Sequence, residues 1–469
     1  MDNKTATFLV RSHNGNTYLY LGELREFVYL PNDKDLSDIK IRYYEELGLI
    51  KDQDPSFITH YSPELLKENL ANLRHLVIEV TDGCNLRCKY CGYGELYSNY
   101  DARQNQKMSF DDFKAIFEYL KQLWDSPLNA SHENTIAIGF YGGEPLLNFN
   151  LIHNVISYIE SLNITNVSFI YTMTTNAMLL DRYMDYIVEK DFQMLISLDG
   201  NEYNDSYRVT SDGRPSFSTV ERNVLALKNR YPDYFDSSVE FNAVLHNRNS
   251  VESIATYIWD TFGKVPRISD LNTNGVAPAK KDEFYAMFKN FYQSYDEAKN
   301  CEVLERGGKL KPDDRNMSSF LDASVSNTYQ SYRDLFFSND ISYIPTGTCV
   351  PFDRKIFLTV NGKILPCEKI GQEISLGSVK DGKVEIDFEE VSSLYEESYN
   401  QVVERCPSCF QWKNCSLCMH YIPRINGKKS CDRYLNKDRY RSSYHSQYLS
   451  LLENNPKSFI SAFIDIYKD

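Results

Sequence analysis

From Leu76 onward the chain alternates short apolar runs with amphipathic stretches. The runs Leu76–Val80, Thr135–Tyr141, Val167–Thr174, Phe192–Leu198, Val239–Val244 and Arg267–Ser269 have the length and bulk of strands. Between the first two, Phe113, Ile116, Phe117, Leu120 and Trp124 recur at helical spacing, and Ser109 with Asp112 supplies an N-terminal cap. Leu151, Ile152, Val155, Ile156 and Ile159 give the next helix one apolar face. Strands alternating with helices predict a parallel sheet with right-handed crossovers. Ahead of this region Thr5–Val10, Thr17–Leu21 and Phe27–Leu30 read as short strands, with a turn at His13-Asn14-Gly15-Asn16, and Asp35–Leu47 as a helix stopped by Gly48. After Asp270 the alternation ends. Residues 282–343 are polar, aromatic and partly helical, with a loop at Gly307-Gly308-Lys309. Ser442–Tyr467 reads as a helix that packs back on the core through Leu449, Leu451, Leu452, Phe459, Phe463 and Ile466.

The 469 residues suggest about three domains. A net charge of −14 argues against a nucleic-acid backbone as partner and is compatible with a cationic peptide. The first residues carry no signal peptide, and no run of about 18 apolar residues occurs, so a cytoplasmic protein free of the membrane is expected. Eleven cysteines in a reducing compartment read as metal-binding or catalytic rather than as disulfides. Ten fall into two groups, and Cys301 stands alone.

The first group follows the first apolar run. That run breaks at Thr81-Asp82-Gly83, and Cys84, Cys88 and Cys91 follow within eight residues. A structural zinc takes four ligands, and iron–sulfur clusters usually take four cysteines. No fourth Cys or His lies nearby, so three converging thiolates would leave one coordination position open. The second group runs Cys349–x12–Gly362–x4–Cys367, then after 38 residues Cys406–x2–Cys409–x5–Cys415–x2–Cys418, and Cys431. Its C-x2-C pairs are open to a zinc reading. Within it, Asn361-Gly362 between alternating apolar residues predicts a hairpin over Ile356–Pro366, with Cys349 and Cys367 at its two open ends.

The C-x3-C-x2-C spacing, with Tyr90 before the third cysteine, resembles the cluster loop of the radical S-adenosylmethionine (SAM) family. The resemblance implies an α/β fold, a partial (β/α)6 barrel. Cys84, Cys88 and Cys91 would hold three irons of a [4Fe–4S] cluster whose fourth iron takes SAM. In barrels of this type chemistry sits at the C-terminal ends of the strands. Tyr141-Gly142-Gly143-Glu144-Pro145 is similar to the family's G-G-E-P motif, whose main chain and carboxylate hold the SAM ammonium; glycines there let backbone approach a ligand. Thr174-Thr175-Asn176 is similar to the T-N-G element, with Ala177 in place of Gly. Ser197-Leu198-Asp199-Gly200 followed by Arg208 resembles the S-x-D-G-x(n)-R pattern of the peptide- and protein-modifying branch, with Asn201 replacing the usual Pro. It implies Ser197 on the ribose or carboxylate and Arg208 on the carboxylate, to which a guanidinium fork is matched. Val244-Leu245 would line the adenine pocket with backbone.

The second cysteine group resembles the seven-cysteine SPASM domain, except that two residues separate Cys415 and Cys418 where three are more usual. This tips the reading from zinc to auxiliary iron–sulfur clusters. The resemblance assigns Cys349, Cys367 and Cys418 to auxiliary cluster I, and Cys406, Cys409, Cys415 and Cys431 to auxiliary cluster II. Cluster I is then one ligand short, leaving an open iron or a ligand from elsewhere, such as Cys301. Glu368 stands where sulfatase-maturing relatives carry an Asp that is the candidate base. The N-terminal unit resembles part of a small peptide-binding domain that captures a leader peptide on a strand edge; a plain packing extension is the alternative. The expected division is 1–72 N-terminal extension, 73–280 radical SAM core, 281–345 bridging region, 346–435 SPASM domain and 436–469 C-terminal helix.

The implied chemistry is one-electron cleavage of SAM, hydrogen abstraction from a peptide by the 5′-deoxyadenosyl radical, and bond formation. Auxiliary clusters would take up the electron and Glu368 the proton. This makes the chain an oxidoreductase that matures a ribosomally made precursor peptide by a thioether or carbon–carbon crosslink, fed by an external donor such as flavodoxin or ferredoxin. The alternatives are an anaerobic sulfatase-maturing enzyme forming formylglycine and a non-enzymatic iron–sulfur or zinc scaffold.

Overall fold

The computed structural model describes residues 8–21, 26–48, 50, 56–129, 135–298, 301–306, 344–409, 412, 415, 417–425, 427–436 and 446–457. The chain forms two compact units, one of residues 1–61, 309–348 and 393–469, the other of 62–308 and 349–392. The first begins with β1 (Phe8–Arg11), β2 (Thr17–Leu21) and β3 (Glu26–Leu30), an antiparallel sheet in that order. Gly15, at φ +88, makes the first turn, and its N–H bonds Ser12 O. Helix α1 (Lys34–Glu46) is capped by Asp33, whose carboxylate accepts Leu36 N–H at 3.1 Å. Leu19, Leu21 and Leu30 pack with Ile41 and Tyr44 of α1.

The second unit opens with α2 (Pro63–Ala71) and then alternates as the hydrophobic pattern predicts. The order is β4 (His75–Thr81), α3 (Phe110–Trp124), β5 (Thr135–Gly142), α4 (Phe149–Ser161), β6 (Ser168–Thr175), α5 (Leu180–Glu189), β7 (Gln193–Ser197), α6 (Phe217–Arg230), α7 (Pro232–Ser238), β8 (Val239–Leu245), α8 (Val251–Phe262) and β9 (Arg267–Asp270). These six strands pair in sequence order, all parallel. One face of β5 is sealed through Ile136, Ile138 and Phe140. The opposite residues, Ala137 and Tyr141, stay half-buried. That second face can therefore line a site. Helices α9 (Lys281–Met287), α10 (Phe291–Glu297) and α11 (Glu302–Arg306) follow; the loop expected at Gly307-Gly308-Lys309 lies outside the described residues.

The predicted hairpin forms from β10 (Lys355–Leu358) and β11 (Lys363–Leu365), but its turn is not the two-residue Asn-Gly type. The loop is Thr359–Gly362: Gly362 N–H bonds Thr359 O, Lys363 N–H bonds Thr359 Oγ1, and of the Asn361-Gly362 pair only Gly362 has positive φ. β10 joins the sheet edge parallel to β4, with Phe357 opposite Val77, because Ile356, Phe357 and Leu358 are all buried. Antiparallel β12 (Gly377–Lys380) and β13 (Lys383–Glu385) extend that edge. The compact units thus cut the expected 346–435 segment at 392/393, within α12 (Phe388–Val403), and α2 goes with the sheet.

Back in the first unit, the short pair β14 (Arg424–Ile425) and β15 (Lys428–Lys429) precedes α13 (Ser446–Asn454). Among the described residues this C-terminal helix packs on the N-terminal sheet; Phe459, Phe463 and Ile466 of the expected helix lie outside them. Leu449 is buried with Phe8, Val10 and Tyr20, and Glu453 accepts from Tyr18 OH at 2.7 Å and Asn16 Nδ2 at 2.8 Å. The alternation of β1 turns Phe8 and Val10 to one face, which the helix covers. No helix among the described residues is long and apolar enough to cross a membrane.

Candidate active site

The first three cysteines leave β4 through Asp82-Gly83, and the ends of neighbouring strands hold them. Gly143 N–H bonds Thr81 O at 2.8 Å and Glu144 N–H bonds Gly83 O at 2.9 Å, lacing β5 to the entry of the loop. A Cβ on Gly143 would stand 2.0 Å from Gly83 O, and one on Gly142 2.2 Å from Thr81 O. The close approach these glycines serve is therefore, first of all, to the chain's own backbone. On the far side Arg87 N–H bonds Val209 O at 2.6 Å and Lys89 N–H bonds Tyr207 O at 3.0 Å.

Glu144 is fully buried. Its Oε1 accepts from Thr175 Oγ1 at 2.7 Å and Leu146 N–H at 3.2 Å, and Oε2 from Asn176 N–H at 2.8 Å. Burial raises its pKa and these donors oppose the rise. The carboxylate thus ties the end of β5 to the end of β6. Asn176 reaches from there to the cysteine loop, its Nδ2 donating to Asn85 Oδ1 at 2.8 Å and lying 3.7 Å from Cys84 Sγ. Ala177 takes φ +57, the left-handed conformation for which Gly is the ordinary choice.

Beyond β7, Asp199 is buried. Its Oδ1 accepts Val244 N–H at 2.9 Å and its Oδ2 accepts the Tyr90 hydroxyl. Arg208 Nη1 donates to the same Tyr90 oxygen at 3.1 Å, while Asp205 Oδ1 accepts Asp199 N–H at 3.0 Å. The Tyr90 ring stacks on His246 at 5.8 Å. Burial, then Asp199, pushes the Tyr90 pKa up. Half-buried Ser197 ends β7 in register with Asn242. The structure therefore gathers Cys84, Cys88, Cys91, Tyr90, Gly142, Gly143, Glu144, Asn176 and Arg208 around one loop, and adds Asp199, His246 and Arg103, to which the sequence reading gave no role. Asp199 stood inside a motif already quoted; His246 and Arg103 carried no local signal.

The donor set suits an iron–sulfur group. Burial pushes the Cys88 thiol up to about 12, with Arg208 opposing and the other two thiols adding to the rise; burial raises Cys84 as well. Burial thus keeps Cys84 and Cys88 as neutral thiols, and ionising the three together would call for a bound cation; among the described residues no three His, Cys, Asp or Glu side chains already stand close enough to hold one. N–H groups already face the sulfurs: Leu86 N–H at 3.4 Å from Cys84 Sγ and Arg103 Nη2 at 3.6 Å from Cys91 Sγ.

In the first unit, Cys406, Cys409, Cys415 and Cys431 line one cavity with Phe57, Trp412 and Leu417. Burial, then the other three thiols, pushes Cys406 up to about 12. Cys418 belongs to this unit, and Cys349 and Cys367 to the other, where Cys349 is exposed. Cys301 is buried against Thr256 of α8. Glu368 pairs with Lys355 at 3.1 Å, and burial, then Glu368 and Cys91, pushes the Tyr141 pKa up.

Residues 78–258 match the radical SAM superfamily. An uncharacterized protein of Methanocaldococcus jannaschii is 32% identical over 218 residues, 46% of this chain and 67% of that one. The radical SAM cyclopropyl synthase TigE of Paramaledivibacter caminithermalis is 25% identical, over 47% of this chain and 46% of its own. A cysteine-type anaerobic sulfatase-maturating enzyme of Clostridium novyi is 27% identical over 39% and 46%. The chain thus spans two thirds of the first relative and under half of the other two. Native anSMEcpe with bound AdoMet shares the fold, with a TM-score of 0.54 at 18% identity over 83% of this chain and 99% of that one. The chain belongs to the radical SAM superfamily, whose members carry a [4Fe–4S] cluster and SAM.

Proposed function

We propose that this chain is a radical SAM oxidoreductase built as a partial (β/α)6 barrel with a C-terminal SPASM domain. Its substrate is a ribosomally made precursor peptide, in which it closes a thioether or carbon–carbon crosslink. The observation that carries this reading is the second thiol set, Cys406, Cys409, Cys415 and Cys431, lining one cavity in a chain whose first cysteine loop lies at the strand ends. When bound to Cys84, Cys88 and Cys91, a [4Fe–4S] cluster with SAM supplies a 5′-deoxyadenosyl radical. The main chain at Gly142, Gly143 and Glu144 receives the SAM ammonium, Arg208 the carboxylate and Ser197 the ribose. Asn176 and the Asp199–Tyr90–Arg208 network hold the loop in shape. Cys349 and Cys367, in the sheet unit, would serve auxiliary cluster I, and the cavity cysteines would hold auxiliary cluster II. The Glu368 carboxylate accepts the substrate proton, steadied by Lys355. Residues 1–72 take the leader along the outer edge of β3, which among the described residues pairs only with β2. The electron donor is a flavodoxin or ferredoxin, in the cytoplasm.

Similarity to a sulfatase-maturating enzyme supports a second reading, formylglycine formation. Mass spectrometry of a candidate peptide after anaerobic turnover separates the two. Loss of two hydrogens with every sulfur retained and a new crosslink supports the first; conversion of one Cys or Ser to an aldehyde supports the second. With Glu368→Gln, modified peptide should fall by about 10²–10⁴-fold while 5′-deoxyadenosine release persists. Unchanged product formation would remove Glu368 from its role.

A further inference from the structure

Arg103 lies twelve residues beyond Cys91, outside every motif named above. Its guanidinium turns back onto the cysteine loop: Nη2 donates to Cys91 Sγ at 3.6 Å, and the group lies over the Tyr93 ring, 4.2 Å from its centre. Its Nε is buried and has no hydrogen-bond partner among the described residues. The surroundings keep the cation where it is. Tyr93 OH donates to Glu79 Oε1 at 2.9 Å, and Glu79, itself buried, accepts Val360 N–H at 3.0 Å. The segment bearing Arg103 is laced to β4 and the turn after it: Gln104 N–H bonds Asp82 Oδ2 at 2.8 Å, Asp82 N–H bonds Gln106 O at 3.2 Å and Met108 N–H bonds Val80 O at 3.1 Å.

A buried N–H without an acceptor is costly, so it favours a neighbour that can accept it. A guanidinium held against a thiol with one donor unspent suits a neighbour that is anionic and rich in acceptors. A thiolate-ligated iron–sulfur cluster is such a neighbour, and its potential follows its net charge and the hydrogen bonds to its sulfurs. We propose that Arg103 is a tuning and positioning residue for the cluster held by Cys84, Cys88 and Cys91. It stabilises the reduced, more negative state and so raises the potential at which one electron enters from the external donor. The inference rests on the reading of this loop as the SAM-cluster site. Lysine would keep the charge but not the planar fork lying on Tyr93.

The test is a redox titration of the full-length, iron-reconstituted protein with dithionite, read by electron paramagnetic resonance. Only the part of the reduced signal that changes on adding SAM is followed, which separates this cluster from any other. In Arg103→Met, with iron content equal to wild type, the reduced-to-oxidised ratio at the wild-type midpoint should fall about tenfold, a one-electron shift of about 59 mV to lower potential. Arg103→Lys should shift less. An unchanged midpoint in Arg103→Met overturns the proposal. If that variant fails to load iron, Arg103→Gln decides in the same way: a lowered midpoint supports the role and an unchanged one ends it. Absence of any SAM-responsive signal in wild type would instead bring down the underlying reading of the cysteine loop.

Discussion

The two places where cysteines gather differ in the framework behind them. The Cys84–Cys91 loop is clamped from a distance in sequence: by Thr81 and Gly83 against Gly143 and Glu144, by Asn176, and by Tyr207 and Val209. The Cys406–Cys431 cavity combines local turns, Cys406 N–H to Val403 O, Cys409 N–H to Cys406 O and Trp412 N–H to Cys409 O, with a few distant ties, Gly347 N–H to Leu417 O at 2.9 Å and Met419 N–H to Thr348 Oγ1 at 2.7 Å, and is walled by Phe57, Trp412 and Leu417. A parallel sheet arranges the first site before anything binds. Among its described residues the second is carried by turns and the short β14–β15 pair and not by the parallel sheet, so its order depends more on whatever its four thiols hold.

That contrast can be broken most directly with paired cysteine variants. Cys88→Ala should abolish 5′-deoxyadenosine release yet leave hydrogen-exchange protection of β4–β9 intact. Cys406→Ala should lower bound iron and strip protection from residues 402–434 while leaving SAM cleavage measurable. Equal loss of protection in both units would erase the distinction. Next in size, Gly143→Ala drives a Cβ to 2.0 Å from Gly83 O and should destabilise the sheet unit by roughly 3 kcal/mol in denaturant melts. A cost under about 1 kcal/mol would mean the clamp is loose.

Acid should act on the same unit through His75 at the start of β4. Burial, then Lys355, lowers its pKa to about 4 against an ordinary 6.5, with Glu368 opposing. The unfolded chain binds a proton in that window that the folded one refuses. Stability is therefore complete above pH 6.5 and falls as pH drops toward 4, by roughly 3 kcal/mol at most. His75→Gln should flatten that slope in melts across the window. The smallest effect is a gain: Ala177→Gly should relieve the left-handed backbone and add about 1 kcal/mol, read as a raised melting temperature.

Much of this architecture is legible in the chain itself. The six parallel strands follow from apolar runs such as Leu76–Val80, because a strand buried on both faces is built mostly of apolar side chains, and the one carboxylate in that run, Glu79, is buried only with the Tyr93 and Val360 donors on it. The cysteine loop was legible because its spacing is local. Long-range pairing was not. Nothing in Lys355–Leu358 announces that it will extend the sheet beside β4, and nothing in Leu449 says that it will cover Phe8 and Val10. Glu144 reads in sequence as a ligand-facing carboxylate; only the fold reveals the Thr175 and Asn176 donors that occupy it. Arg103 stays silent in sequence for the same reason, since its partner Cys91 is reached through a returning loop.

The central claim is that Cys84, Cys88 and Cys91 support SAM cleavage. Anaerobically reconstituted protein should be mixed with SAM and dithionite and assayed for 5′-deoxyadenosine by liquid chromatography. The account predicts release by the wild type and none by the variant with all three cysteines replaced by Ala. Release by that variant at the wild-type rate, or none from an iron-replete wild type, would contradict it.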